Sequence, residues 1–340
     1  MISEERFKTL KSSLRGELIQ PGEAEYDAAR KVYNAMIDRH PRLIVRCRDV
    51  ADVITAVNFA RDNELLLAIR GGGHNAGGLG VCDDGLVIDL SLMKGVRVDP
   101  GERTVRVEGG CVWGDVDHAT HAFGLATPSG IISTTGVAGL TLGGGIGHLT
   151  RRCGLSVDNL QEADLVLADG SFVTTNAEKN PDLYWAIRGG GGNFGVVTSF
   201  LFRLHPIDTV YAGPMFWELE QAADMMRWYR DFITRAPEEL NGFFAFLVVP
   251  PGPPFPEHLH NKTVCGIVWC YTGPLDQAET TFAPIRSFKA PLLDFVGPLP
   301  HPSLQGMFDP IFPPGLQWYW KADFVNELSD EAIALNVQYG

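Results

Sequence analysis

No lysine- or arginine-rich run interrupts this sequence, and its formal net charge of -13 with a pI near 5.1 would repel phosphate backbones and anionic lipid surfaces alike. Nucleic acid and membrane are therefore poor partners. No window is apolar over the ~20 residues that a bilayer crossing needs. Residues 1–20 carry Glu4, Glu5, Arg6, Lys8, Lys11, Arg15 and Glu17, where a secretory leader would need an apolar core. The cysteines (Cys47, Cys82, Cys111, Cys153, Cys265 and Cys270) show no C-x-x-C spacing, and a chain this long needs no disulfide framework. A reducing cytoplasm is the compartment this pattern predicts. No glycine loop continues as G-K-[ST], which excludes a P-loop, and no internal repeat is visible.

What is present is an ordinary globular composition, with 45% hydrophobic and 20% charged residues over 340 positions, enough for a sizeable core and for two domains. Val50, Val53, Ile54, Val57 and Ala60 recur at helical spacing behind Asp49, a competent N-cap. Leu65–Ile69, Gly85–Leu90 and Thr104–Val107 read as strands. Val112, Val116, Ala119 and Phe123 mark a short helix stopped by Gly124. Ala163–Thr175 reads as a hairpin turning at Asp169-Gly170, Pro181 opens a helix, and Val196–Leu204 is one more strand before His205-Pro206, the predicted exit from a first domain. Beyond it, aromatic-rich strands at Phe243–Val249, Val264–Tyr271 and Gln317–Val325 alternate with helices around Gln221–Arg235 and Pro274–Phe288, and Pro250–Pro256 reads as a rigid loop. One helix face gathers Ala222, Met225, Met226, Tyr229, Phe232 and Ile233, as expected of helices on one side of an antiparallel sheet.

Glycine clusters dominate the first half, at Arg70–Gly80, Gly136–Gly147 and Gly189–Gly195. Such clusters let backbone N–H groups approach a pyrophosphate closely, although any one of them can equally serve a tight turn. Gly71–Ala76 and Gly190–Gly195 superficially satisfy a dinucleotide fingerprint, yet the first runs into more glycine and the second into Val196-Val197-Thr198, a strand-forming sequence. A Rossmann site needs a helix immediately after the loop. Phosphates would have to be bound by loops without that helix.

Four strings carry a family resemblance: R-G-G-G-H-N (Arg70–Asn75), T-T-G-V-A-G-L-T-L-G-G-G-I-G (Thr134–Gly147), G-L-S-V-D-N-L (Gly154–Leu160) and L-Y-W-A-I-R-G-G-G-G-N-F-G-V-V-T (Leu183–Thr198). Together they resemble FAD-linked oxidases with a vanillyl-alcohol-oxidase-type flavin domain, most closely the berberine-bridge-enzyme and 6-hydroxy-D-nicotine-oxidase group, over roughly Pro41–His205 and more weakly beyond. The resemblance implies an α+β fold: an N-terminal helical segment (1–36), a two-subdomain flavin domain (37–206) and a substrate domain with an antiparallel sheet (207–340). It also implies FAD bonded through its 8α-methyl to His74. Arg70, Gly71, Gly72, Gly73, Asn75 and Gly78 would wrap the pyrophosphate. Thr135, Gly136, Gly139, Gly143, Gly144 and Gly147 would lie beside the isoalloxazine and ribityl chain, with Gly195 and Val197 near the adenine. About eight backbone donors can offset two phosphate charges without a lysine, which suits an acidic chain.

The same resemblance sets what to expect of the chemistry: hydride removal from an alcohol or amine carbon of a small substrate, then reoxidation by O₂ to H₂O₂. The small β-branched Thr135 falls where the family gates oxygen. Some relatives attach the flavin a second time through a cysteine two residues before the threonine of this motif; Ile132 stands there, so single attachment is expected, with Cys153, Cys111, Cys47 and Cys82 as packing residues. Relatives supply their catalytic base from a C-terminal stretch with no counterpart after Trp318–Phe324, so no base is named, and a truncated chain is one expectation. Tyr319 is a conceivable pocket residue, since strand alternation would face it opposite to its two Trp neighbours. His118 and His121 read as a surface pair, His40, His148 and His301 as unremarkable, and Asp158 as the ion-pair partner of Arg151 or Arg152. Two alternatives stay open: a flavin-holding protein without turnover, and a reductase drawing on NAD(P)H.

Overall fold

A computed structural model describes residues 3–340. The chain runs α1 (Glu4–Ser13), β1 (Glu17–Ile19), α2 (Tyr26–Ala29), β2 (Leu43–Arg46), α3 (Val50–Asp62), β3 (Leu67–Arg70), β4 (Leu86–Asp89), β5 (Val96–Asp99), β6 (Thr104–Glu108), α4 (Trp113–His121), α5 (Val137–Leu142), α6 (Thr150–Cys153), β7 (Leu160–Val166), β8 (Phe172–Asn176), α7 (Pro181–Ile187) and β9 (Val196–Arg203). It continues with β10 (Thr209–Glu218), α8 (Ala222–Ile233), β11 (Leu240–Val248), β12 (Thr263–Tyr271), α9 (Ala278–Phe288), β13 (Leu293–Asp294), β14 (Gly297–Pro300), α10 (His301–Gln305) and α11 (Asp330–Tyr339). The fold is α+β, as the resemblance implies.

Two compact units result. The first takes the chain up to Gly147, Cys153–Pro206 and Gln305–Trp320, and the second takes His148–Arg152, Ile207–Leu304 and Lys321–Gly340. The division thus differs from a single cut at 206/207, because a short later segment belongs with the first unit. Residues 1–36 also hold more than helix, since β1 pairs antiparallel with β2.

The first unit is built on two sheets, ordered β1-β2-β4-β3 and β5-β6-β9-β7-β8. In the first sheet β2, β4 and β3 are parallel and both faces are covered, which is why their sequences are continuously apolar. Leu43, Val45, Leu86 and Ile88 face a core shared with Val53, Ala56 and Val57 of α3, while Ile44 and Val87 face one shared with Ile19 and Tyr26. Asp49 caps α3 by accepting the Asp52 N–H at 3.1 Å. The second sheet is antiparallel throughout and packs Val105, Val107, Phe200 and Phe202 against Trp113 and Val116 of α4.

The second unit orders its sheet β11-β12-β10-β13, with β14 also on β10. Cys265, Ile267 and Trp269 of β12 meet Met225 of α8 and Phe282 of α9, so both helices share one core with that sheet face. His148 and His301 are buried, and burial, with a smaller contribution from neighbouring His301, lowers the His148 pKa to about 3. The strand expected over Gln317–Val325 does not form. Its backbone is partnered otherwise, because the Trp318 N–H donates to Asn34 Oδ1 at 2.9 Å and the Trp318 carbonyl accepts from Asn34 Nδ2 at 2.8 Å. Asp158 also departs from expectation. It accepts the Leu155 N–H at 2.9 Å and pairs with Arg188 at 3.3 Å, while Arg151 and Arg152 donate to the carbonyls of Leu240, Ala236 and Thr272.

Candidate active site

The site begins at the edge where the parallel strands end. Register sets Arg70 of β3 beside Asp89 of β4, and Arg70 Nη2 donates to Asp89 Oδ2 at 2.7 Å with both side chains almost fully buried. Arg70 Nη1 donates to the Lys31 carbonyl at 3.1 Å, and Asp89 Oδ1 accepts the Ser91 N–H at 3.0 Å. The guanidinium is thus committed inside the protein, so Arg70 braces the loop from behind instead of reaching for phosphate.

From this brace the chain turns through Gly71-Gly72-Gly73, with Gly73 at φ +71°. Gly72 lies directly against Gly136: a Cβ on Gly72 would sit 2.5 Å from both the Cα and the N of Gly136. The N–H groups of Gly72, Gly73, His74 and Asn75 donate to no protein acceptor among the described residues. Such a row of orphaned donors is what an anion requires. The Asn75 side chain instead steadies the turn, accepting the Leu79 N–H at 3.1 Å.

Around this loop a cavity of about 900 Å³ opens, lined by residues of all three glycine clusters. That is the upper end of the range for small-molecule sites, ~300–1,000 Å³, as a dinucleotide-sized ligand needs. Arg70, Gly71, Gly72, Gly73, His74, Asn75, Thr135, Gly136, Gly139, Gly143, Gly195 and Val197 all line it; Gly78, Gly144 and Gly147 do not. Those last three are glycine for structural reasons. Gly78 and Gly144 have φ of +74° and +116°, and a Cβ on Gly147 would lie 1.9 Å from the Ser129 carbonyl oxygen.

Gly139 is different, since beyond its chain neighbours and its own helix backbone no atom lies within 4 Å of where its Cβ would be. Nothing in the protein forbids a side chain there, so the open space is what the glycine preserves. Gly139→Val is expected to fold with stability within about 1 kcal/mol of wild type while losing most of its flavin affinity, read by flavin fluorescence titration. Unchanged affinity would mean that the cofactor does not pass this helix.

His74 projects into the same cavity. Its Nε2 lies 3.2 Å from Thr134 Oγ1 and its Nδ1 3.5 Å from Thr135 Oγ1, and its ring stacks on Tyr33 at 4.0 Å between centroids. Burial lowers its pKa to about 4, against a smaller opposing effect of the Thr134 contact and the Asp309 charge. The imidazole is therefore neutral at pH 7, with a ring lone pair available to form a bond.

Tyr33, Phe312 and Trp320 complete one wall, and Trp318 stacks on Trp320 at 5.6 Å. Tyr319, a conceivable pocket residue from the sequence, is mostly exposed and does not line the cavity. No motif announced Tyr33 or Phe312 in the sequence.

Residues 41–176 match the model of an FAD binding domain family. An FAD-linked oxidoreductase of Dictyostelium discoideum is 36% identical over 318 residues, covering 93% of this chain and 67% of the relative. (R)-6-hydroxynicotine oxidase of Paenarthrobacter nicotinovorans is 38% identical over 206 residues, 60% of this chain and 45% of the relative. Among solved structures, 6-hydroxy-D-nicotine oxidase from Arthrobacter nicotinovorans superposes with a TM-score of 0.81 at 30% identity, covering 89% of this chain and 66% of that one. A xylooligosaccharide oxidase from Myceliophthora thermophila does so with a TM-score of 0.75 at 25% identity, covering 89% and 63%. The chain spans between 45% and 67% of the length of these four proteins.

Proposed function

Because the chain belongs to the FAD-linked oxidoreductases of the berberine-bridge-enzyme-like and 6-hydroxynicotine-oxidase group, we propose that it holds FAD covalently through His74 and oxidises an alcohol or amine carbon of a small organic substrate, with O₂ as the final acceptor and H₂O₂ as product. The observation that carries this reading is a neutral imidazole opening into a glycine-walled cavity of about 900 Å³ beside orphaned backbone donors. FAD, when bound, supplies the hydride acceptor.

The chain's own part is binding, orientation and exclusion of water. Backbone N–H groups of Gly72–Asn75 offset phosphate charge, Gly139 and Gly143 leave room for the cofactor, and Val197 adds apolar surface to the cavity lining. Thr134 and Thr135 flank the two His74 ring nitrogens, and one hydroxyl can accept from the ring N–H, which leaves the lone pair of the other nitrogen for the bond. The cytoplasm remains the proposed compartment, supported by six free cysteines.

The test is direct. Purified protein is expected to be yellow, to keep its flavin through acid precipitation, and to release H₂O₂ with some member of an alcohol and amine panel. His74→Ala should lose all covalent flavin yet bind FAD reversibly, because the orphaned donors remain. A colourless acid pellet from wild type removes the covalent linkage, and a reduced flavin that air does not reoxidise removes the oxidase.

A second reading, flavin binding without turnover, also has an observation behind it. The titratable side chains lining the cavity are Tyr33, Arg70 and His74; Arg70 is committed to Asp89, and burial raises the Tyr33 phenol above its ordinary value. None is a ready base at pH 7. Failure of every panel member to bleach the flavin anaerobically would favour it.

A further inference from the structure

We propose that Asp309 is a positioning residue for flavin attachment: it anchors Ser133 so that the following Thr134 and Thr135 present their hydroxyls to the two ring nitrogens of His74. This rests on the linkage through His74 proposed above. Asp309 Oδ1 accepts the Ser133 N–H at 3.0 Å, and Oδ2 accepts the Ser133 hydroxyl. The carboxylate thus grips the backbone and side chain of one residue at once. Immediately after that residue come Thr134, 3.2 Å from His74 Nε2, and Thr135, 3.5 Å from Nδ1.

A face of the ring is held from the same segment. Tyr33 stacks on His74 at 4.0 Å and donates its hydroxyl to the Phe312 carbonyl, three residues beyond Asp309. The Gly315 N–H in turn donates to the Tyr33 carbonyl at 3.0 Å. Residues 309–315 therefore hold both the threonine segment at the ring nitrogens and the tyrosine stacked on the ring. A merely structural segment would not need to converge on the side chain that forms the bond.

The chemistry explains the need for a fixed ring. Attachment breaks one C–H bond of the flavin methyl carbon and the imidazole N–H, and forms one C–N bond. The two electrons and two protons released go to the isoalloxazine and then to dioxygen, which becomes hydrogen peroxide. A nitrogen lone pair must point along one line for this bond to form, and loss of such alignment costs on the order of 100-fold in rate.

The experiment is to incubate flavin-free protein with FAD in air and follow the fraction of flavin that stays with the acid-precipitated polypeptide over time. Asp309→Ala is expected to slow attachment by roughly 10- to 100-fold. Asp309→Asn, which keeps an acceptor for the Ser133 N–H and a group able to bond its hydroxyl, should attach within about three-fold of wild type. Reversible FAD affinity, measured in a His74→Ala background with and without Asp309→Ala, should agree within about three-fold, showing that the cofactor cavity survives. Ser133→Ala supplies a milder variant with an intermediate rate if Asp309→Ala does not fold. Attachment at the wild-type rate in Asp309→Ala overturns the proposal. Equal slowing in the Ala and Asn variants overturns it too, since charge and not anchoring would then be at work. If wild type itself never attaches flavin, the covalent reading fails, a result distinct from either.

Discussion

Gly72→Ala should cost the protein both its flavin and about 3 kcal/mol or more of first-unit stability. The added methyl would lie 2.5 Å from the Gly136 Cα and N, and Gly136 reciprocates with a Cβ site 2.4 Å from the Gly72 N. Carbon atoms in contact prefer ~3.5–4.0 Å, so the two loops must part by about an ångström. Overpacking usually costs ~1–3 kcal/mol because a neighbouring side chain can rotate away. Here both neighbours are backbone. Parting them also shifts the orphaned N–H row and, two residues on, His74. Flavin content and denaturant unfolding measured on the same preparation check this. A variant that retains flavin with stability within about 1 kcal/mol of wild type would show that the loops separate freely.

Asp117→Asn should act in the other direction, stabilising the first unit at neutral pH. Asp117 lies in α4, 2% exposed, and neither carboxylate oxygen has a hydrogen-bond partner; burial alone raises its pKa to about 8. An unfolded Asp ionises near 3.9. Between those values the native state retains a proton that the unfolded state has lost, so stability declines as pH rises from about 4 to about 8. At pH 7 the cost is on the order of 4 kcal/mol. Asn is neutral throughout, so the variant should recover much of that at pH 7 and nothing at pH 4.

His74 pulls the opposite way in the same unit. Its folded pKa of about 4 lies below the ordinary 6.5, so between those values the unfolded state takes up a proton that the native state refuses, and stability rises with pH. The two effects largely cancel from pH 4 to 6.5, and above it only Asp117 acts. In flavin-free protein, where the His74 ring carries no bond, wild-type first-unit stability should therefore be nearly level up to pH 6.5 and then fall, whereas Asp117→Asn should climb to pH 6.5 and then level off. Parallel curves in a pH series of urea midpoints would reject the assignment.

The sequence was legible where one local cause dominates. The α3 helix followed from Asp49 and an apolar period, the β7–β8 hairpin from Asp169-Gly170, with Gly170 at φ +83°, and the glycine clusters gathered where the resemblance implied. It was illegible where a partner far along the chain decides. Trp318 has strand propensity, yet Asn34 takes both its backbone groups. Arg70 looks like a phosphate ligand until parallel register brings Asp89 beside it. Asp158 found Arg188 thirty residues later in place of its close neighbours. The Asp309–Ser133 contact spans 176 positions, and no spacing rule reaches that far.

The row of free N–H groups from Gly72 to Asn75 has a consequence for ionic strength. Peptide dipoles carry no net charge, and Arg70, the one cation lining the cavity among the described residues, is already spent on Asp89, so the chain of net charge -13 offers a dianionic cofactor no long-range attraction. Repulsion governs the approach and yields to added salt, since mobile ions screen charges over about 8 Å at physiological strength. The grip itself acts at hydrogen-bond distance, inside that screening length. Salt would therefore speed the arrival of the cofactor while leaving its departure nearly untouched, the reverse of a lysine-lined phosphate site.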